Sequence, residues 1–111
     1  PTSSTPKPDP AVLAYQRRQN AHAHANLLPD GIDGPETRAW RAWVTAAQNA
    51  VNGFKVTWPR KKLVPDGDYG STTAAYVKDV QGRNGLYKDG VLGPVMIRWM
   101  RAKGATITNR P

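Results

Sequence analysis

Cysteine is absent from the 111-residue sequence, which excludes disulfide bonds, thiol nucleophiles and cysteine-ligated zinc. No apolar run approaches the roughly 20 residues that cross a bilayer, so the sequence predicts no transmembrane helix. Acidic residues are scarce, because 8 Asp and Glu stand against 16 Lys and Arg, for a formal net charge of +8. This imbalance predicts an anionic partner, and nucleic acid, anionic lipid and anionic cell-wall polymer are the candidates.

The length of the chain predicts one folded domain, because compact domains need roughly 100–150 residues. Residues 1–10 (PTSSTPKPDP) contain four prolines and four Ser or Thr residues, a composition typical of a linker. We therefore expect a linker at 1–10, a domain at 11–103 and a C-terminal tail at 104–111. Because the chain begins with Pro1 and not with Met, we expect a processed or excised piece with a further domain on its N-terminal side.

Three segments of the predicted domain repeat one pattern. Each segment reads Asp-Gly-x-x-Gly, then Pro or Ser, with an aromatic residue six positions after the second glycine. The copies lie at residues 29–40, 65–76 and 88–99. A Val-x-x-x-Gln motif precedes each copy and ends at Gln16, Gln48 and Gln81. The sequence therefore predicts three copies of one helix–loop–turn unit.

The repeated Asp-Gly pair predicts a tight turn, because glycine tolerates positive φ and the aspartate carboxylate accepts backbone N–H groups two residues on. Pro35 and Pro94 each follow a glycine and predict helix starts, since the first helical position needs no N–H. Apolar residues then recur at spacings of three and four, which indicates helices with one buried face. The predicted fold is all-α, a small bundle of three to four helices joined by Asp-Gly loops.

The apolar stripes predict the core. Its expected members are Val12, Tyr15, Trp40, Trp43, Val44, Ala47, Val51, Tyr76, Val77, Val80, Val95, Met96, Trp99 and Met100. Gln48 is expected on the polar face of its helix. Trp58 differs from the other tryptophans because it lies in a loop beside three consecutive cations, which makes it the candidate for exposure and ligand contact.

Catalytic and metal sites find little support in the sequence. His22 and His24 form a His-Ala-His pair, but zinc would need a third ligand and none is evident. The Asp-Gly-Asp segment at 66–68 lacks the later ligands of a calcium loop, because Gly70 and Val77 stand at those positions. The Asp-Gly carboxylates are explained by turns, and no Gly-rich phosphate loop follows a strand pattern. We therefore predict a domain without catalytic residues, metal or cofactor.

Several ordered motifs between Trp43 and Met100 carry a family resemblance. They read Val44-x-x-Ala47-Gln48, Asp66-Gly-x-Tyr69-Gly-x-x-Thr73, Tyr76-Val77-x-x-Val80-Gln81 and Gly85-Leu-x-x-Asp89-Gly-Val-x-Gly-Pro94. In this order they resemble the three-helix peptidoglycan-binding domain of bacterial cell-wall hydrolases and phage endolysins. The main match is 41–103, and 11–40 resembles an extra half-unit. Ala47 and Val80 replace larger apolar residues of the family, and Met96 replaces the usual threonine.

The resemblance implies a non-catalytic domain that binds peptidoglycan or an associated anionic wall polymer. It implies that the domain targets a hydrolase joined through the N-terminal linker, acting at the bacterial cell wall outside the cell, with a phage endolysin as the leading source. Such a surface needs aromatic faces for sugar or alkyl groups and charged donors for carboxylates or phosphates. The candidates are Trp58, Arg60, Tyr69, Lys78, Arg83, Tyr87 and Lys88. A solvated basic rim is the alternative interpretation of these residues.

Two other functions stay open at the level of sequence. The same fold suits a structural or attachment domain of a virion or wall-associated assembly. A nucleic-acid-binding helical domain agrees with the charge, but the basic residues are scattered over loops and helices instead of forming one recognition helix. A membrane is not an expected partner.

Overall fold

The computed structural model describes residues 7–111, and every regular element in that range is an α-helix. The helices are Pro10–Ala23 (α1), Pro35–Val51 (α2), Ser71–Arg83 (α3) and Pro94–Ala102 (α4). The predicted all-α fold is therefore confirmed. In the part of the chain that is described, no helix has both the length and the apolar character needed to span a membrane.

The helix starts follow from local sequence. Pro35 and Pro94 open α2 and α4, as predicted. The Asp9 carboxylate caps α1 by accepting a hydrogen bond from the Ala11 N–H at 2.8 Å. The folded unit therefore begins at Asp9, and the last two residues of the predicted linker belong to it. The linker prediction for residues 1–6 lies outside the described residues.

The core contains most of the side chains that the periodicity predicted. Buried members are Tyr15, Trp40, Trp43, Val44, Ala47, Val51, Tyr76, Val77, Val80, Met96 and Met100. Val95 is an exception at 65% exposure, because it lies about 100° around α4 from the buried Met96. Trp99 is half-buried and packs on Phe54, with ring centroids 5.0 Å apart.

A buried glutamine holds the Asp-Gly turn of the second repeat. The side-chain oxygen of Gln48 accepts the Gly67 N–H at 2.9 Å. Its side-chain nitrogen donates to the Asp66 carboxylate, the Asp68 carbonyl and the Thr73 hydroxyl at 3.1–3.2 Å. Gln48 is 1% exposed, so its predicted place on the polar face is wrong. It is buried because the turn folds over it and satisfies its amide.

The other repeats contain the same network, which we call the Gln–Asp-Gly network. Gln16 makes the four equivalent contacts, to Asp30, Gly31, Ile32 and Thr37. Gln81 makes three, to Asp89, Gly90 and Val91. Met96 occupies the threonine position of that repeat, and the two hydrogens of the Gln81 amide still have two acceptors. In every repeat the aspartate also accepts the N–H two residues on, as predicted.

Two buried tyrosines join successive turns. The Tyr15 hydroxyl donates to the Gly67 carbonyl at 2.6 Å, and the Tyr69 hydroxyl donates to the Gly90 carbonyl. Burial disfavours the charged phenolate, so it raises the pKa of both groups, that of Tyr15 to about 12. The second and third turns are therefore each held by a side chain from an earlier part of the chain.

The predicted C-terminal tail packs on the domain. Ile107 is buried in the core, and the indole N–H of Trp43 donates to the Thr108 carbonyl at 2.9 Å. The Arg110 guanidinium lies 4.9 Å from the centroid of the Trp40 ring and donates to two carbonyls at the end of α1. The folded unit therefore continues past its predicted end, because an arginine and an isoleucine near the terminus find partners on α1 and α2.

Alanine at position 67 is expected to destabilise the fold more than alanine at position 85. Gly67 and Gly85 have φ of 77° and 70°, but a Cβ at position 67 would lie 2.6 Å from Cγ of Arg41, whereas position 85 is open. We expect Gly85→Ala to lower the unfolding free energy by about 1 kcal/mol and Gly67→Ala by about 3 kcal/mol, because only the latter adds a clash. Urea denaturation measures both values. Equal losses would contradict this account of the turn.

Alkaline pH is expected to weaken the fold through Tyr15. Its pKa is raised from 10.0 to about 12, so the unfolded chain releases this proton at a lower pH than the folded protein. The stabilisation is complete below pH 10 and is lost as the pH rises from about 10 to about 12. Urea denaturation across this range should show a falling unfolding free energy, with a shallower fall for Tyr15→Phe. An identical slope in the variant would refute the assignment.

Candidate functional site

A cleft lies beside each Asp-Gly turn, between the residues leading into the turn and the start of the next helix. The first cleft (within 26–37) has a volume of about 390 Å³, and the second (within 62–73, with Arg18) about 360 Å³. The third cleft (within 81–96) measures about 210 Å³. Because equivalent repeat positions line all three, they are one structural feature present three times.

An exposed apolar side chain stands at the same position in every cleft, two residues before the aspartate of the turn. Leu28 and Val64 are each 73% exposed, and Tyr87 is 86% exposed. The N–H of the following aspartate donates to the carbonyl of this residue in each copy, at 2.8–3.1 Å. Single exposed apolar residues are common on protein surfaces. Their recurrence at one repeat position allows the three clefts to be compared residue by residue.

Apolar groups dominate the third cleft. Leu86, Tyr87 and Val95 line it, and Val95 is the residue that the core prediction misplaced. Lys88 follows Tyr87 and lays its side chain across Gly82, where a Cβ would lie 3.0 Å from Cδ of Lys88. The third cleft therefore offers an aromatic face with an ammonium group in the neighbouring residue.

The second cleft is charged. Asp68 lines it and forms a two-point ion pair with Arg18, with Nη2–Oδ2 at 2.8 Å and Nε–Oδ1 at 3.3 Å. Lys62 is a further lining residue. Asp68 occupies the position that is isoleucine in the first cleft and valine in the third. The repeated backbone thus presents a different surface in each copy.

Tyr69, a predicted ligand contact, is fully buried at 0% exposure. A side chain in this position has no surface for a ligand, so the prediction is corrected: Tyr69 is a core residue that joins two turns. The equivalent residue of the third repeat, Leu92, is 1% exposed. Sequence analysis could have used this comparison, because a large side chain, Tyr69 or Leu92, stands at the same repeat position in both copies and indicates a buried site.

The loop before the second turn is attached to α3 through Asp79. Its carboxylate accepts the Thr57 N–H at 2.6 Å and the Thr57 hydroxyl at 2.8 Å. The backbone hydrogen bond from Thr57 lowers the pKa of Asp79, and the charges of Arg60 and Arg83 lower it further. The charges of two predicted site residues from different elements, Arg60 and Arg83, thus act on the same acid. Trp58 is 88% exposed on the same loop.

The remaining predicted site residues lie around the end of α3. Tyr87 and Lys88 follow one another at the third cleft, and Lys78 is exposed on α3. The structure therefore groups Arg60 with Arg83 and Tyr87 with Lys88. Sequence reasoning missed Leu28 and Val95 as surface residues. For Leu28 a signal was present, because the position two before each Asp-Gly is apolar in all three copies.

Most carboxylates of residues 7–111 take part in hydrogen bonds or ion pairs within the protein. Seven of them accept hydrogen bonds in turns, a helix cap or ion pairs: Asp9, Asp30, Asp33, Asp66, Asp68, Asp79 and Asp89. Glu36, the eighth, lines the first cleft. Within this range, no cluster of three or more His, Cys, Asp or Glu is arranged to hold a metal ion.

Removal of the Tyr69 hydroxyl is expected to affect stability and not the exposed surface. Tyr69→Phe loses one hydrogen bond and leaves the Gly90 carbonyl without that donor, so we expect a loss of about 1–2 kcal/mol in unfolding free energy. Thermal denaturation measures the loss. Well below the melting temperature, the folded variant should bind ligand as the wild type does. Weaker binding by the folded variant would show that Tyr69 contributes to the ligand site.

A family model for putative peptidoglycan-binding domains matches residues 42–100. The match begins within α2 and ends within α4, so it contains the second and third clefts, whereas α1 and the first cleft lie outside it. No curated protein and no solved structure matches the chain. Because the family match covers more than half of the sequence and agrees with the helical fold, the protein belongs to the family of putative peptidoglycan-binding domains.

Proposed function

We propose that this chain is a non-catalytic wall-binding domain that holds an attached hydrolase, of the phage endolysin kind, on peptidoglycan. Membership of the family supports peptidoglycan binding and association with the cell wall. The observation that carries the proposal is the third cleft, which lies inside the family match and has an exposed aromatic ring, with Lys88 as the next residue in the chain. The non-catalytic role is supported by the engagement of seven carboxylates in turns, a cap and ion pairs.

The chemistry of the third cleft suits a sugar that carries a peptide. The Tyr87 ring offers a flat apolar face to a sugar or a methyl group, and the Lys88 ammonium offers donors to a carboxylate. The turn beside them is fixed, because the Gln81 oxygen accepts the Gly90 N–H at 2.9 Å. A preformed cleft loses little conformational entropy on binding, so its contacts contribute more to affinity.

The loop that carries Trp58 is the second part of the proposed surface. Trp58 and Arg60 are exposed, and the two hydrogen bonds from Thr57 to Asp79 anchor the loop on α3. Arg83 is exposed on α3 and its charge acts on the same carboxylate as that of Arg60, so we assign both to the surface for an anionic ligand. We place Lys78 on the exposed side of α3 as an outer contact for an anionic wall polymer. A tether to a hydrolase would turn these contacts into a raised local enzyme concentration.

Co-sedimentation with insoluble peptidoglycan tests the function. We expect the 111-residue chain to bind, and Tyr87→Ala to weaken binding by about ten-fold or more, the range of an interface hot spot. This loss should persist at high salt, because screening removes only the contribution of surface charge. The matched control is Val64→Ala, at the same repeat position in the charged second cleft. Equal binding to cellulose or chitin, or no binding to wall material, would overturn the proposal.

Charge reversal separates a specific surface from general attraction. Arg83→Glu should weaken wall binding more than Lys7→Glu, which reverses a charge before the first helix. Equal losses that disappear at high salt would favour attraction by net charge, and preferential binding of DNA over peptidoglycan would favour the nucleic-acid function.

The chain alone should produce no cleared band in a gel containing wall substrate. Clearing would show a catalytic group and end the non-catalytic proposal.

A further inference from the structure

We propose that the first cleft, which lies outside the family match, is a second binding site for peptidoglycan and takes the amine-bearing part of its peptide stems. This inference rests on the proposed function, because it extends to the first cleft the ligand class proposed for the third. It makes the domain bivalent, with one apolar cleft at each end of the set of three repeats.

The first argument is the equivalence of the backbone. Gln16 fixes the first turn through the same acceptor and donors by which Gln81 fixes the third. Leu28 consequently stands where the third cleft has Tyr87, and both side chains are mostly exposed. The first cleft is therefore preformed in the same way as the third.

The second argument is the apolar lining. Leu28, Ile32 and Pro35 line the first cleft at the positions that hold Tyr87, Val91 and Pro94 in the third. The second cleft lacks this lining, because it has an aspartate ion-paired with Arg18 and a serine at the last two of these positions. Only the first and third of the three clefts thus have apolar residues at all three of these positions.

The third argument is the charge at each cleft. Glu36 lines the first cleft at the position of Val95, and Asn26 is a further polar lining residue. Peptide stems of peptidoglycan carry free amines as well as carboxylates. A carboxylate beside Leu28 suits the amine, whereas Lys88 beside Tyr87 suits a carboxylate. The two clefts are therefore complementary to different groups of one ligand.

The fourth argument is the rigid attachment of α1 to the part of the chain that matches the family. Gln19 of α1 is fully buried; its oxygen accepts the Trp40 indole N–H and the Tyr69 backbone N–H, and its nitrogen donates to Asp68. The Tyr15 hydroxyl bonds the Gly67 carbonyl beside it. Two sites on one rigid body can hold a polymer together, which raises the affinity for the polymer far above that for a fragment.

Calorimetric titration with a soluble disaccharide–peptide fragment tests the second site. We expect two fragments per wild-type chain and one for Leu28→Ser, together with an approximately ten-fold or greater loss of affinity for insoluble peptidoglycan. Val64→Ser is the matched control, because Val64 has the same repeat position and the same 73% exposure. It should leave both values unchanged. Circular dichroism of each variant checks that the helices are retained.

The role of Glu36 has its own readout. Glu36→Gln should lower the affinity of one of the two sites for a fragment with a free amine, and should leave binding of the N-acetylated fragment unchanged.

Binding of one fragment per wild-type chain, with Leu28→Ser indistinguishable from Val64→Ser, would overturn the second site and leave the proposed function standing. Absence of binding to both fragment and insoluble peptidoglycan would overturn the proposed function itself.

Discussion

The hydrogen bond from the glycine N–H of each Asp-Gly turn to a buried glutamine is the interaction on which the rest of the structure depends. The side chains of Gln16, Gln48 and Gln81 each extend from a helix to the glycine of a turn that lies 9 to 19 residues later in the chain. An amide buried in this way must keep its partners, because an unsatisfied buried polar group costs about 1–3 kcal/mol. The turn and the helix before it are therefore specified together, whatever the length of the loop between them.

This constraint separates the positions that fix the backbone of the cleft from the positions that determine the chemistry of its surface. The glutamine, the aspartate and the glycine are the same in all three repeats, and the backbone around them is the same. The side chains two residues before and two residues after the aspartate make no hydrogen bond in the Gln–Asp-Gly network. These positions can therefore differ between the repeats. Leu28, Val64 and Tyr87 illustrate this freedom, because the same backbone exposes an aliphatic side chain in two repeats and an aromatic one in the third.

The sequence predicted the repeat, the turns, the helix starts and the all-α fold, because each depends on local residues whose physical preferences are strong. It failed where a partner is remote in sequence. Gln48 looks polar and exposed on a helical wheel, yet its partners lie 18 to 25 residues away. Tyr69 looks like a loop residue, but its hydroxyl meets a carbonyl 21 residues later. For the candidate site, the sequence predicted exposed residues such as Trp58 and Tyr87. It did not predict the clefts beside the turns.

A basic surface and an apolar cleft act over different distances. Lys and Arg outnumber Asp and Glu by 16 to 8, so positive charge is in excess. In the proposed function, the resulting positive field draws the domain to an anionic wall from a distance of about 10 Å at 0.1 M salt, and it weakens as salt increases. Contacts with an apolar cleft act only at van der Waals range and persist in salt. In the proposed function, net charge therefore governs the approach to the wall, and the repeat positions beside the turns govern which ligand is bound there.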